Sequence, residues 1–416
     1  MAVGAPRSRV TPRAASPIPI QLGKVSLLTP VILAPMAGVT DQSFRRLARE
    51  FAEEGLPSDV RGRDVQGSVA AAGLFVSEMV TARGLLEGSP RSWEMVAPTD
   101  GGPIHSLQLY GTDPTTLGLA AGRLVREGFA DHIDLNFGCP APKVTRKGGG
   151  AAIPWKRDLF EEIVSSVVKQ VDEASGTAGE VPVTVKMRLG TDDDHLTAIE
   201  AGKTAQRIGA AAVGLHARTH AQYYSGAANW EWIARLKEEL DIPVFGNGDV
   251  FSAEDALVMM RETGCDGIIV GRGCQGRPWL FRELSAAIWG EDAPAEPTLG
   301  EVAETLLSHA RLAVAAGKEE RVMKGMRKHV AWYLRGFPVG DEARRSLQQV
   351  ATLADLEEGL ATLDLTLPYP PEARGPRGRA GSPRTPHLPH GWLDSRTLSE
   401  EERAGLVFAE SDVSGG

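Results

Sequence analysis

The sequence predicts an α/β fold: a (β/α)8 TIM barrel followed by a small helical C-terminal domain. Three observations carry this. Eight short apolar, β-branched runs recur through roughly the first 290 residues. Helix-like segments with capping residues separate most of them. Polar and glycine-rich residues gather at the C-terminal ends of the runs, where a barrel keeps its chemistry. A doubly wound sheet is the alternative, because closure is not visible in a sequence.

The first run, 31–35, leads into Met36-Ala37-Gly38, and Thr40-Asp41 then opens a helix with a capping Thr or Asp. The second, 74–80, carries Ser77-Glu78-Met79. The third, 106–111, carries Gln108, and Pro114 sits near the start of the helix that follows. The fourth, 132–138, contains Asn136 and hands over to Cys139-Pro140. Lys186 and Arg188 lie on the fifth, 183–189, and His216-Ala217-Arg218 closes the sixth, 212–217. The seventh, 243–247, ends in Gly246-Asn247-Gly248-Asp249 before a helix opened by Ser252 with acids in its first turn. The eighth, 267–271, ends in Gly271-Arg272-Gly273.

Composition bounds the rest. Apolar residues make up 42% of 416, enough for a sizeable core and two or three domains. Residues 1–18 hold Arg7, Arg9 and Arg13 without an acid or an apolar h-region, and are expected to be a flexible tail. Residues 19–292 form the barrel and 293–365 the helical domain. Residues 366–416, rich in Pro, Gly, Arg and Ser, are expected to be disordered apart from a short helix near 398–404. Three cysteines (Cys139, Cys265, Cys274) cannot build a disulfide framework and point to a reducing, cytoplasmic setting. No apolar run reaches about 18 residues, so no membrane span is expected. The net charge of −9 excludes a global field for nucleic acid, so a polyanion needs a local patch. Residues 311–345 offer one, with nine Lys and Arg, including Arg327 and Lys328, against four acids. His329, Trp332 and Tyr333 are interleaved there.

The segment Asn136-Phe137-Gly138-Cys139-Pro140 puts a lone thiol on the turn that ends a buried strand. Such a thiol can present a proton or a nucleophile to a ligand, and it also fits a small core cysteine. Glycine-rich turns after the seventh and eighth strands suit a phosphate, through backbone N–H groups and a helix N-terminus. A buried Lys186 needs an anionic partner, which the ring of a reduced flavin would supply. Gln108 can donate to and accept from a ring edge, and Pro35-Met36-Ala37 offers a flat apolar floor. FMN and a sugar phosphate both fit these features.

The order and spacing of these motifs resemble the tRNA-dihydrouridine synthases, most like the bacterial B-type branch, from about residue 20 to about 362. The matching segments include 33–41, 77–79, 108–111, 134–140, 143–151, 185–190, 216–219, 246–249 and Gly271-Arg272, then 326–329 with Trp332-Tyr333. The resemblance implies an FMN enzyme that reduces the C5–C6 double bond of selected uridines in tRNA, with NADPH as electron source. A hydride passes from the reduced flavin to C6, and Cys139 supplies the proton to C5 as a neutral thiol. It assigns flavin contacts to Pro35, Met36, Ala37, Gln108, Lys186, Asn247, Gly248, Asp249, Gly271 and Arg272, with His216 near the flavin phosphate or the target base. Asn136 and Arg188 are expected close to the uracil. Lys143, Arg146 and Lys147 are expected at the RNA backbone, and Arg327 and Lys328 in an RNA-facing patch. A monomer with no metal is expected. Two departures stand out: a polar insertion at about 54–71 and a longer tail. Rival readings are an FMN barrel acting on a free pyrimidine or other small molecule, a flavin-free sugar-phosphate enzyme, and a tRNA-binding chaperone-like protein.

Overall fold

The computed structural model describes residues 19–62, 68–98, 101–377 and 381–411, with backbone only for 407–411. The expected tail at 1–18 lies outside the described residues. Two small strands open the chain, β1 (Ile20–Leu22) and β2 (Val25–Leu27), paired antiparallel around Gly23, whose φ of +52° suits glycine. The barrel begins with β3 (Val31–Leu33). Helix Gln42–Glu54 follows, and the Asp41 carboxylate, not Thr40, caps it by accepting from Phe44 N.

A further strand, β4 (Val69–Ala71), falls in the expected insertion and runs parallel to β2. Three-residue strands give no periodicity to read. This small sheet packs Leu22, Val25 and Leu27 against Ile32, Leu74 and Phe245 of the barrel.

The second expected strand is split into β5 (Leu74–Phe75) and β6 (Met79–Thr81). Then come β7 (Ser106–Tyr110), β8 (His132–Phe137), β9 (Val183–Arg188), β10 (Ala212–His216), β11 (Val244–Asn247) and β12 (Gly267–Val270). Every pairing in this sheet is parallel, in the order β5-β3-β12-β11-β10-β9-β8-β7-β6. Since β5 and β6 are two halves of one run, the sheet's two edges belong to the same strand. The sheet therefore closes, giving an eight-stranded barrel and deciding against the doubly wound alternative. At the break, Ser77 donates its N–H to Ser106 O and accepts from Gln108 N, so the ladder is bridged by other groups. Glu78 turns away to accept from Gly38 N. Several strands end a residue or two earlier than expected, and Pro35 and Gly138, just past the ends of β3 and β8, line the mouth instead.

Helices Leu299–Ala316, Glu319–Tyr333, Asp341–Leu347 and Leu353–Ala361 form a helical unit around Leu306, Met326, Val330, Tyr333 and Leu356. Thr298 and Glu301 make a reciprocal cap at its start. Phe44 of the barrel meets this unit through the rings of His309 and His329, at 5.6 and 6.3 Å between centroids.

The tail corrects the expectation of disorder. Residues 381–406 lie against the barrel, with Trp392 and Leu406 in its main core and helix Glu400–Ser411 at the end. The composition hid a few anchors: one Trp, one Leu and arginines whose partners, Asp158, Glu162 and Glu200, lie far away in sequence. Among the described residues, no helix is long and apolar enough to cross a membrane.

Candidate active site

The C-terminal ends of the strands open into a cavity of about 860 Å³. It is walled by Pro35, Met36, Ala37, Gln108, Asn136, Cys139, Lys186, Arg188, His216, Asn247, Gly248, Asp249, Gly271 and Arg272. Fourteen residues singled out in the sequence thus meet at one mouth, because parallel strands deliver equivalent positions to the same rim.

The floor is a buried polar network. Asn136 pairs with Lys186 in register across β8 and β9, and Lys186 with Gly214 across β9 and β10. Lys186 Nζ donates to Asn247 Oδ1 at 3.2 Å, and Asn247 Nδ2 donates to Ile269 O at 2.7 Å. Asp134 accepts from Gln108 Nε2 and from Thr184 Oγ1, both at 2.6 Å. Burial pushes the Asp134 carboxyl up and the Lys186 ammonium down, the latter to about 8. An anion beside Lys186 would offset that desolvation.

Asn136 builds the turn above the network. Its Oδ1 accepts from Gly138 N at 3.1 Å and Cys139 N at 2.9 Å, while Nδ2 donates to Gln108 Oε1 at 3.1 Å. Arg188 Nε donates to Gly138 O at 2.9 Å, and its Nη1 donates to the carbonyls of Thr219 and Tyr223 at 3.0 and 2.9 Å. Both side chains line the cavity, yet much of their hydrogen-bonding capacity holds the turn. Cys139 is half-buried at the cavity wall. Burial raises its pKa above the ordinary thiol value, against the opposing pull of Arg188, Lys143 and Lys186, so the thiol is neutral near pH 7.

On the opposite rim, Gly248 has φ +123°, and a Cβ at Gly271 would sit in ordinary contact, 3.8 Å, with Ala34 and Met36. The Asp249 carboxylate accepts from Arg218 Nη2 at 2.7 Å and Arg272 Nη2 at 3.3 Å, so it orients two guanidiniums. Arg272 lies 4.6 Å from the Tyr224 ring centroid. Arg218 Nη1 and Gln275 Oε1 are buried without a hydrogen-bond partner among the described residues. His216 is kept neutral by burial and by the nearby arginines and Lys186.

The basic residues divide. Lys143 and Arg146 are exposed beside Cys139 on and after the short helix Pro142–Thr145, and Lys147 is half-buried. Lys328 and Trp332 line the cavity. Arg327 does not line it and donates to the carbonyls of Val350 and Gln349, both at 3.3 Å. His329 and Tyr333 are buried in the helical unit, which corrects their placement in an RNA-facing patch. Their i, i+4 spacing marks a core stripe. Tyr223, Tyr224 and Gln275 also line the cavity and were missed. Two adjacent tyrosines in the polar loop after the sixth strand were the available signal.

The family model described as "Dihydrouridine synthase (Dus)" matches residues 32–367. The chain belongs to the dihydrouridine synthase family. It is 51% identical over 383 residues to the probable tRNA-dihydrouridine synthase of Mycobacterium tuberculosis strain H37Rv, covering 92% of this chain and 94% of that one. With the protein so named in Mycobacterium leprae, identity is 52% over 370 residues, covering 87% and 95%. With tRNA-dihydrouridine synthase B of Pseudomonas aeruginosa it is 39% over 333 residues, covering 80% and 91%. The match to this family's common part ends before the segment 381–411.

Proposed function

We propose that this protein reduces the C5–C6 double bond of selected uridines in tRNA to 5,6-dihydrouridine, with FMN as its flavin and NADPH as its electron source. The observation that carries the reading is the neutral Cys139 thiol on the wall of the cavity that holds Lys186, Gln108 and Asn247.

The cavity fits a flavin mononucleotide. Pro35, Met36 and Ala37 supply apolar surface, and Lys186 supplies a desolvated cation for an anionic ring. Arg272, oriented by Asp249, and the backbone at Gly248 and Gly271 suit a phosphate. When bound, the reduced flavin supplies a hydride to C6 of the uracil. Cys139 Sγ gives its proton to C5, and the resulting thiolate regains one from water. Its raised pKa keeps that proton available at neutral pH, and Lys186 and Arg188 stabilise the thiolate that follows. Lys328 and Trp332 stand at the entrance, where a cation and an indole receive the backbone and the stacked face of an extruded nucleotide. One chain supplies the whole site, consistent with a monomer.

The test is Cys139→Ala. The variant should retain FMN and bind tRNA normally, while dihydrouridine formation, read by mass spectrometry of digested tRNA, falls about 10²–10⁴-fold. Wild-type product yield from the variant would refute the role.

A further inference from the structure

We infer that the C-terminal strap, residues 381–411, belongs to the architecture of the active site. Trp392 and Arg384 are positioning residues that hold the Cys139-Pro140 turn from two sides. The inference rests on Cys139 being the proton donor proposed above.

The strap is docked, not tethered. Trp392 is buried, and its indole N–H donates to Ala152 O at 3.0 Å. Gly148, at φ +74°, lets the indole and Leu406 approach so closely that a Cβ there would sit 2.7–2.8 Å from them. The fully buried Lys156 places Nζ 5.0 Å from the Trp392 ring centroid, 2.8 Å from Glu402 Oε1 and 3.2 Å from Thr397 O. All three of these contacts come from the strap, so the docking of the strap is what partners that ammonium.

Two short routes lead from the strap to the thiol. On one side, Trp392 fixes Ala152, and the adjacent Ala151 donates its N–H to the carbonyl of Cys139 at 3.1 Å. On the other, Arg384 donates its backbone N–H to Ala221 O at 2.8 Å and sets its guanidinium 5.1 Å from the Tyr223 ring centroid. The Tyr223 hydroxyl donates to Pro140 O. The carbonyls of Cys139 and Pro140 are therefore each held by a group that the strap supports. A proton donor set on a glycine-flanked turn needs such bracing, because small misplacements of reacting groups are costly in rate.

The experiment uses the full chain with Trp392→Phe, which keeps a ring but removes the N–H, and Arg384→Ala, an exposed change that spares the core. Cys139 alkylation by iodoacetamide, followed by mass spectrometry across pH, should be several-fold faster in both, since Cys265 and Cys274 are buried and silent. Single-turnover reoxidation of the reduced flavin by tRNA should slow about tenfold or more, with NADPH-driven flavin reduction unchanged and Arg384→Lys restoring the rate. Wild-type alkylation profiles in both variants would overturn the inference. If wild-type enzyme itself shows no tRNA-dependent reoxidation, the proposed reaction fails, and alkylation alone then decides the strap's role.

Discussion

Asn136→Ala is the sharpest probe of how the turn is held. The substitution removes one acceptor from two backbone N–H groups, those of Gly138 and Cys139, and one donor from Gln108 Oε1. A buried polar group left without its partner costs about 1–3 kcal/mol. Gly138 and Cys139 are half-buried, so water can partly replace their acceptor, and the low end applies to each. Gln108 is buried, so its oxygen takes more of the full penalty. The sum is about 4–5 kcal/mol, and at about 2 °C per kcal/mol for a large chain the melting temperature should fall by about 8–10 °C. Asn136→Asp separates the two halves. Its carboxylate still accepts from the turn but faces Gln108 Oε1 without a proton, so it should lose the Gln108 contribution and keep the turn. Thermal unfolding followed by flavin fluorescence reads both variants. A melting temperature for Asn136→Ala within about 1 °C of wild type would refute this account of the turn.

Three further predictions follow from the same network. Burial lowers the His132 pKa to about 3, while Ser106 and Thr184 satisfy its ring nitrogens at 2.8 and 2.9 Å. Between that value and the unfolded pKa of about 6.5, only the unfolded chain takes up the proton, so stability falls with acidification, by about 2 kcal/mol at pH 5 relative to neutral pH. Denaturant unfolding should show this limb, and His132→Gln should flatten it. Because Lys186 loses its proton above about pH 8, FMN affinity should be level below that pH and weaken above it, and Lys186→Arg should carry the level region to higher pH. A wild-type affinity unchanged well above pH 8 counts against a cationic Lys186 at the flavin. Lys328→Gln should weaken tRNA binding and reduce the salt slope by about one, whereas Arg327→Gln should lower stability through the carbonyls it releases and leave that slope unchanged.

The barrel was legible because β-branched runs punctuated by capping residues leave a local record, and closure follows once one interrupted strand serves both edges. The mouth was legible because strand ends carry function at a fixed phase, which is why Gln108, Asn136, Lys186 and Asn247 could be placed together before any contact was known. The division of labour within the mouth was not legible. Nothing in the residue types tells Arg327, which supports two carbonyls, from Lys328, which lines the cavity one position later. Helical phase distinguishes them only once the packing direction of Glu319–Tyr333 is fixed. The tail was misread for a related reason. Its low hydrophobicity is a valid argument against an independent core, but Trp392 and Leu406 borrow the barrel's core instead.

That borrowing bears on how a chain of net charge −9 can accept a polyanion. Lys186, Arg188, Arg272 and Lys328 line one cavity with Asp249, which pairs with Arg272, while the strap sends Arg396 and Arg403 to the acids of the outer helices. Three outer carboxylates, Asp158, Glu162 and Glu200, are paired by the tail, and the four cations inside share one cavity wall. The resulting field is local and points into the barrel, so it attracts phosphate at close range and fades within about 10 Å at 0.1 M salt. Recognition of a folded RNA then depends on bringing one nucleotide to that mouth, and the bulk acidity of the protein disfavours unproductive contacts elsewhere on its surface.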